Sequence, residues 1–188
     1  MGDVVRRASL ALCVGIVAMA ATSAQGTTDR RDLSSLANRS REPVSVRGGM
    51  RVALQRAGAA ARGRVLARRN GKTFMEFARA GSGNCYGIRK RDAVRFSFTC
   101  WSDFPSTAHP ILDQSVFGAN VGEPIHVMEA QGFAADGVAA VAVEDATSAR
   151  IARVPVVGNV YSIERLPATG IRLVALDASG RVLFAVPR

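Results

Sequence analysis

The sequence predicts a mainly β fold, an antiparallel immunoglobulin-like β-sandwich, with a small β-barrel as the alternative. Two observations predict this fold class. Short runs rich in β-branched and aromatic residues recur at hairpin spacing from residue 64 onwards, and turn residues separate most of these runs. No long helical pattern lies between the runs, and this combination is typical of antiparallel sandwiches.

The first predicted pair of strands is a hairpin centred on Asn70-Gly71. The runs 64–69 and 72–77 flank these two residues. Asn and Gly readily adopt the positive φ angles that a two-residue hairpin turn requires. The sequence therefore predicts two antiparallel strands joined by a tight turn at this point.

A strand is also predicted over 94–100, because apolar and polar residues alternate there with a period of two. Cys100 therefore shares a buried face with the neighbouring phenylalanines. Cys85 is the remaining cysteine outside the N-terminal 24 residues. In an oxidising compartment this pair predicts a disulfide, whereas a zinc or redox site would need nearby ligands or a close cysteine pair, and neither is present.

Six further strands are predicted in the C-terminal part, over 125–130, 138–144, 150–157, 160–164, 171–177 and 181–186. Asp136-Gly137 and the segment 177–180 supply turns, because Asp hydrogen-bonds the local backbone and Gly takes left-handed conformations. Pro155 places the third of these strands at a sheet edge or a bulge, since proline cannot donate a hydrogen bond to a ladder.

Residues 1–24 have the three parts of a secretory signal peptide. Arg6 and Arg7 supply the charged start, residues 10–21 form a nearly uninterrupted apolar run, and small residues lead to a cleavage site expected near Ala24. The apolar run is shorter than the roughly 20 residues of a spanning helix, and no later segment is long and apolar enough to be one. We therefore expect a secreted, extracellular protein with no transmembrane span.

The rest of the chain divides into a basic, flexible arm over 25–60 and the β-sandwich domain over 61–188. Ser, Pro and Gly residues interrupt the arm. The segments 32–39 and 51–62 could each form a short helix, but Gly58 and a sparse apolar face argue against a stable one.

Positive charge is concentrated in the N-terminal half of the chain. Residues 25–99 hold 17 basic and 5 acidic side chains, whereas residues 100–188 hold 6 and 9. Such a field attracts anionic partners by a salt-sensitive, sequence-independent mechanism. Because all the basic residues except Lys72 and Lys90 are Arg, GC-rich coding bias is the alternative explanation.

The partner classes that follow are an anionic cell-envelope polymer or a partner protein. Nucleic acid would need aromatic residues interleaved with the arginines on one strand face. Residues 64–99 supply that pattern only in part, so the sequence argues against a nucleic-acid partner.

No residue is assigned a catalytic, cofactor-binding or metal-binding role. His109, with Asp103 or Asp113 nearby in the sequence, could act in general-base chemistry, and a surface loop histidine is the competing interpretation. His126 lies on a predicted strand and is interpreted as a sheet-face residue. The segment 81–85 has serine and cysteine among glycines, but its spacing does not match a nucleophile elbow.

Three carboxylates, Asp136, Glu144 and Asp145, could bind calcium at a strand end. The alternative is that they are solvated turn residues. The few aromatic residues, Trp101 among them, are interpreted as core or rim packing rather than as a stacking platform.

Four stretches, 63–87, 104–106, 109–117 and 132–161, resemble uncharacterised secreted actinobacterial proteins. Within the last stretch, 136–139 followed by 156–161 resembles a hairpin-bearing sandwich module of such proteins. The resemblance covers roughly 60–188 and implies a Gram-positive exporter and a β domain. It implies no activity and no catalytic residue.

The sequence thus favours a non-catalytic secreted module that binds an envelope polymer or a partner protein. The alternative is a small secreted hydrolase that uses the His109 loop with Asp103 or Asp113.

Overall fold

A computed structural model describes residues 33, 42–81, 83–91, 96–118, 126–168 and 170–186. Within these ranges the chain is mainly β and contains one α-helix, so the predicted fold class is confirmed. The predicted signal peptide over 1–24 and most of 25–41 lie outside the described residues.

The helix, α1, spans Gly48–Arg56 and lies between the first two strands. The thirteen strands of the described ranges are β1 (Pro43–Ser45), β2 (Ala59–Arg69), β3 (Lys72–Arg79), β4 (Asn84–Lys90), β5 (Phe96–Trp101), β6 (Ile111–Asp113), β7 (Val116–Gly118), β8 (His126–Ala134), β9 (Ala140–Glu144), β10 (Arg150–Pro155), β11 (Val160–Ala168), β12 (Arg172–Leu176) and β13 (Val182–Ala185).

The strands form three antiparallel sheets. The first sheet has the order β1-β2-β3-β4-β5, the second β11-β8-β6 with β7 also paired to β8, and the third β10-β9-β12-β13. In the described part of the chain these sheets are not closed into a barrel, and the arrangement is consistent with a β-sandwich. The immunoglobulin-like topology stays a prediction.

Two cores hold the three sheets face to face. The core between the first and second sheets includes Leu66, Phe74, Tyr86, Ile88, Leu112, Phe133 and Val160. The core between the second and third sheets includes Ile111, Ala130, Ala134, Val141, Val143, Tyr161, Ile163, Leu173 and Ala175. Because side chains alternate along a strand, β8 and β11 contribute to both cores. The second sheet is therefore the middle layer of the domain.

The predicted hairpin at Asn70-Gly71 is confirmed. Asn70 has a φ of 49° and Gly71 a φ of 68°. Arg69 and Lys72 pair directly across the turn, which is the geometry of a two-residue hairpin loop with positive φ at both positions.

The C-terminal strands agree with the sequence pattern, because each of the six predicted runs contains a strand. Pro155 ends β10, and β10 is an edge strand of the third sheet. The edge position predicted from Pro155 is therefore confirmed.

Residues 42–60 belong to the folded domain, and this corrects the flexible arm predicted over 25–60. β1 pairs with β2, and α1 buries Leu54 completely in a core that includes Met75. Gly58, which argued against a helix, takes a φ of 74° just beyond α1, where a left-handed glycine terminates a helix. Tertiary burial stabilises this nine-residue helix, since so short a helix has little stability of its own.

The structure contains the predicted disulfide between Cys85 and Cys100. The two residues lie directly opposite each other on β4 and β5, with Cα atoms 3.9 Å apart. The disulfide therefore links neighbouring strands of the first sheet.

Candidate functional site

A groove of about 340 Å³ lies beside the β2–β3 turn. We call it the arginine groove, because four of its lining residues are arginines. It is lined by Arg68, Arg69, Asn70, Gly71, Lys72, Thr73, Arg89 and Arg91.

Strand register brings the arginines of the groove together. Arg68 pairs with Thr73, and Thr73 pairs with Arg89, so these residues form one row across β2, β3 and β4. Members of such a row point to the same face of a sheet. The backbone N–H of Arg91 donates to the carbonyl oxygen of Gly71 at 2.8 Å, and this bond holds the end of β4 against the turn.

Two of the four arginines are held by other groups. Arg68 donates from Nη1 to Thr73 Oγ1 at 3.1 Å and forms an ion pair with Glu42. Arg69 donates from Nη1 to the carbonyl oxygen of Pro155 at 2.9 Å. These bonds engage both guanidinium groups, and Glu42 is the only acidic partner of the two arginines among the described residues.

The other two arginines are Arg89 and Arg91. Within the described ranges neither guanidinium makes a hydrogen bond or an ion pair, and no acidic residue lines the groove. Lys72 also lines the groove, but its ammonium group contacts Ser162 and Glu129 outside the groove. The positive field of the groove therefore comes from guanidinium groups.

On the other side of the turn, a buried ion cluster joins the first sheet to the middle sheet. The Lys72 side chain is 2% exposed, and its Nζ lies 3.0 Å from Glu129 Oε2 and 3.5 Å from Glu164 Oε1. It also donates to Ser162 Oγ at 3.0 Å. Lys90 Nζ lies 2.8 Å from the other oxygen of Glu129. Both lysines of the chain are thus neutralised in this cluster.

The two lysines set the pKa of Glu129. Partial burial acts to raise this pKa, but hydrogen bonds from Lys90 and Lys72, together with their positive charges, outweigh burial and hold it below its usual value of 4.5. A carboxyl group with a depressed pKa in the folded state stabilises the fold wherever it is ionised.

We expect the stabilisation from Glu129 to be complete above pH 4.5 and to be lost as pH falls through the lower pKa of the folded state. The check is the free energy of unfolding of the wild type and of Glu129→Gln from pH 7 to pH 3. The difference between the two proteins should shrink below pH 4.5. A difference that is constant over this range would contradict the argument, because all other groups titrate in both proteins.

Among the described residues, no hydrogen bond or ion pair joins the His109 side chain to a carboxylate, those of Asp103 and Asp113 included. Its ring lies 6.1 Å from the rings of Trp101 and Phe184, measured between centroids. Among the described residues the His109 side chain makes no hydrogen bond, and Nδ1 is buried without a partner. The carboxylate of Asp113 instead accepts hydrogen bonds from the Ser115 hydroxyl at 2.6 Å and the Tyr161 hydroxyl at 3.4 Å.

The three carboxylates considered for calcium have separate partners. Asp145 Oδ1 accepts hydrogen bonds from the backbone N–H groups of its own turn, Glu144 pairs with Arg172, and Asp136 accepts a hydrogen bond from Asn159. No group of three or more metal-ligating side chains occurs in the described ranges. Ser82 and the side chain of His126 lie outside them.

The arginine groove was not predicted from the sequence, although a signal for it is present. The sequence places positive charge broadly over 25–99. Extending the predicted hairpin by one antiparallel strand would have set the basic run 89–91 beside the turn, because antiparallel neighbours in sequence pair in space.

Comparison with family models, curated proteins and solved structures finds no match to this chain. Within the described ranges the structure contains one helix, α1, and it is far too short to cross a membrane. The disulfide is compatible with an extracellular location. The fold and the site together define a disulfide-bonded β protein with a cationic groove, the arginine groove.

Proposed function

We propose that this protein is an exported, non-catalytic binding module that holds an anionic polymer of the cell envelope in the arginine groove. The observation that carries the proposal is that Arg89 and Arg91 have no partner within the described residues, in a groove where no described lining residue is acidic. Arg91 also lines the neighbouring cavity that contains Glu129 and Glu164. Export through residues 1–24, the immunoglobulin-like topology and the actinobacterial resemblance belong to the same proposal. The disulfide supports export, because such bonds persist in oxidising compartments.

Electrostatics favours an anionic ligand at this place. Like charges that converge on one recess repel each other and create a positive potential, which an anion entering the recess relieves. Arg68 has a carboxylate partner in Glu42, whereas Arg69, Arg89 and Arg91 have none in the described part of the chain.

A second groove of the first sheet is separate from the arginine groove. It has a volume of about 320 Å³, and its lining includes Arg62, Arg64, Glu76 and Asn84. Arg64 pairs with Glu76, whereas Arg68 pairs with Thr73. Because Thr73 and Glu76 are three positions apart on β3, their side chains point to opposite faces of the sheet. The proposal therefore rests on the arginine groove alone.

Removing the two uncommitted guanidiniums should abolish most of the binding. We expect Arg89→Gln/Arg91→Gln to bind isolated cell-envelope polymer at least about tenfold more weakly than the wild type at low salt. The slope of log affinity against log salt should fall in magnitude by about 1.4, at roughly 0.7 for each lost contact. Binding is measured by co-sedimentation at several salt concentrations.

The matched control is Arg51→Gln/Arg153→Gln, which removes the same charge from exposed positions on α1 and β10. This control should bind like the wild type. Equal losses in both double variants would show that net charge, rather than the groove, determines binding, and the proposal would fail. Deleting 25–60 is unsuitable as a test, because it removes β1 and α1.

A further inference from the structure

We infer that the group recognised by the arginine groove is a phosphate, held by the guanidinium groups of Arg89 and Arg91 with the hydroxyl of Thr73. This inference rests on the proposed function, because it names the ligand chemistry of the same groove. It follows from the number and type of the hydrogen-bond donors of the groove that have no acceptor among the described residues.

The available donors outnumber what a carboxylate can accept. A guanidinium carries five N–H donors in a fixed plane, and those of Arg89 and Arg91 have no acceptor among the described residues. One arginine fork already engages both oxygens of a carboxylate. A phosphate presents additional oxygens in other directions, so two forks can bind the same group from different sides.

Thr73 adds a donor at the centre of the row between Arg68 and Arg89. Its Oγ1 accepts the N–H of Arg68 at 3.1 Å. A hydroxyl has one hydrogen to donate in addition to the bonds that it accepts. Because Thr73 lines the groove, that hydrogen can reach an oxygen of a bound phosphate, while Arg68 fixes the orientation of the hydroxyl.

The two lysines of the chain do not compete for this role. The ammonium groups of Lys72 and Lys90 both contact Glu129, so the cations of the groove that have no partner in the described part of the chain are the guanidiniums of Arg89 and Arg91. Guanidinium is the side-chain cation whose planar fork matches phosphate oxygens, whereas ammonium acts as a point charge. The volume of the groove, about 340 Å³, is at the lower end of the range of small-ligand sites.

The test compares three probes on the mature protein by calorimetric titration: long-chain inorganic polyphosphate, poly-L-glutamate of equal total charge, and inorganic phosphate. We expect polyphosphate to bind at least about tenfold more tightly than poly-L-glutamate. Arg89→Lys/Arg91→Lys keeps the charge and removes both forks, and it should reduce polyphosphate affinity about tenfold while changing poly-L-glutamate affinity less than twofold.

Arg51→Lys/Arg153→Lys is the matched control and should leave both affinities unchanged, and thermal unfolding of each variant checks its fold. Displacement of polyphosphate by inorganic phosphate would show that a single phosphate group is sufficient for binding. Lack of displacement would show that binding requires the phosphate polymer. Both results support phosphate recognition. Equal affinities for the two polymers, or a lysine variant that binds like the wild type, would overturn it and leave the proposed function standing. Binding of neither polymer would overturn both.

Discussion

Replacing Glu129 with Leu is expected to lower the free energy of unfolding by about 3 kcal/mol, because the substitution leaves a buried ammonium with poor compensation. The Lys72 side chain is 2% exposed, and among the described residues it would keep only Ser162 and the more distant Glu164 as partners. Replacing Lys72 with Met should cost less, about 1 kcal/mol, because Glu129 retains Lys90 and partial contact with solvent. Urea denaturation of the two variants measures both values.

The double variant Lys72→Met/Glu129→Leu separates charge burial from packing. We expect it to be closer to the wild type than the sum of the single changes, since removing both members of a buried pair leaves no uncompensated charge. Additive effects of the two cluster substitutions would contradict the proposed coupling.

The exposed ion pair between Glu42 and Arg68 is the comparison. Glu42→Gln breaks this pair and should change the free energy of unfolding by less than about 1 kcal/mol.

Removing the disulfide is expected to destabilise the fold by a similar amount. Cys85→Ala/Cys100→Ala opens a loop with a sequence separation of 15 residues, and the chain-entropy model assigns about 3 kcal/mol to such a loop. The measurement is denaturant unfolding of this variant beside the wild type with and without a reducing agent. The reduced wild type should match the variant.

The two strands remain paired through the register of β4 and β5, so the variant should keep a native-like β spectrum at low denaturant. A loss of less than about 1 kcal/mol would show that the unfolded chain gains little freedom when the bond is absent.

Features set by neighbouring residues were predictable from the sequence. The hairpin at Asn70-Gly71 depends on two residues that tolerate positive φ. The edge position of β10 depends on one missing N–H at Pro155. The cysteine pairing required only two candidates. In each case a few adjacent residues carry the physical cause.

Features set by distant contacts were not predictable in the same way. Helix α1 has little propensity to form alone, and its one buried residue, Leu54, depends on a sheet formed later in the chain. Lys72 and Ser162 are 90 residues apart in sequence. The ion cluster and the arginine groove both depend on strands that pack together in the fold. The composition therefore predicted positive charge in this half of the chain, but not where the charged side chains lie in the structure.

The middle sheet has a consequence for how the domain opens and how it can vary. Because β8 and β11 are packed on both faces, local opening of either outer sheet leaves one face of the middle sheet covered. The amide hydrogens of β8, which has partner strands on both sides, should therefore exchange with solvent only through global unfolding. Sequence drift is most restricted in this layer, whereas the outer layer that carries the arginine groove can acquire new surface charges without disturbing the scaffold.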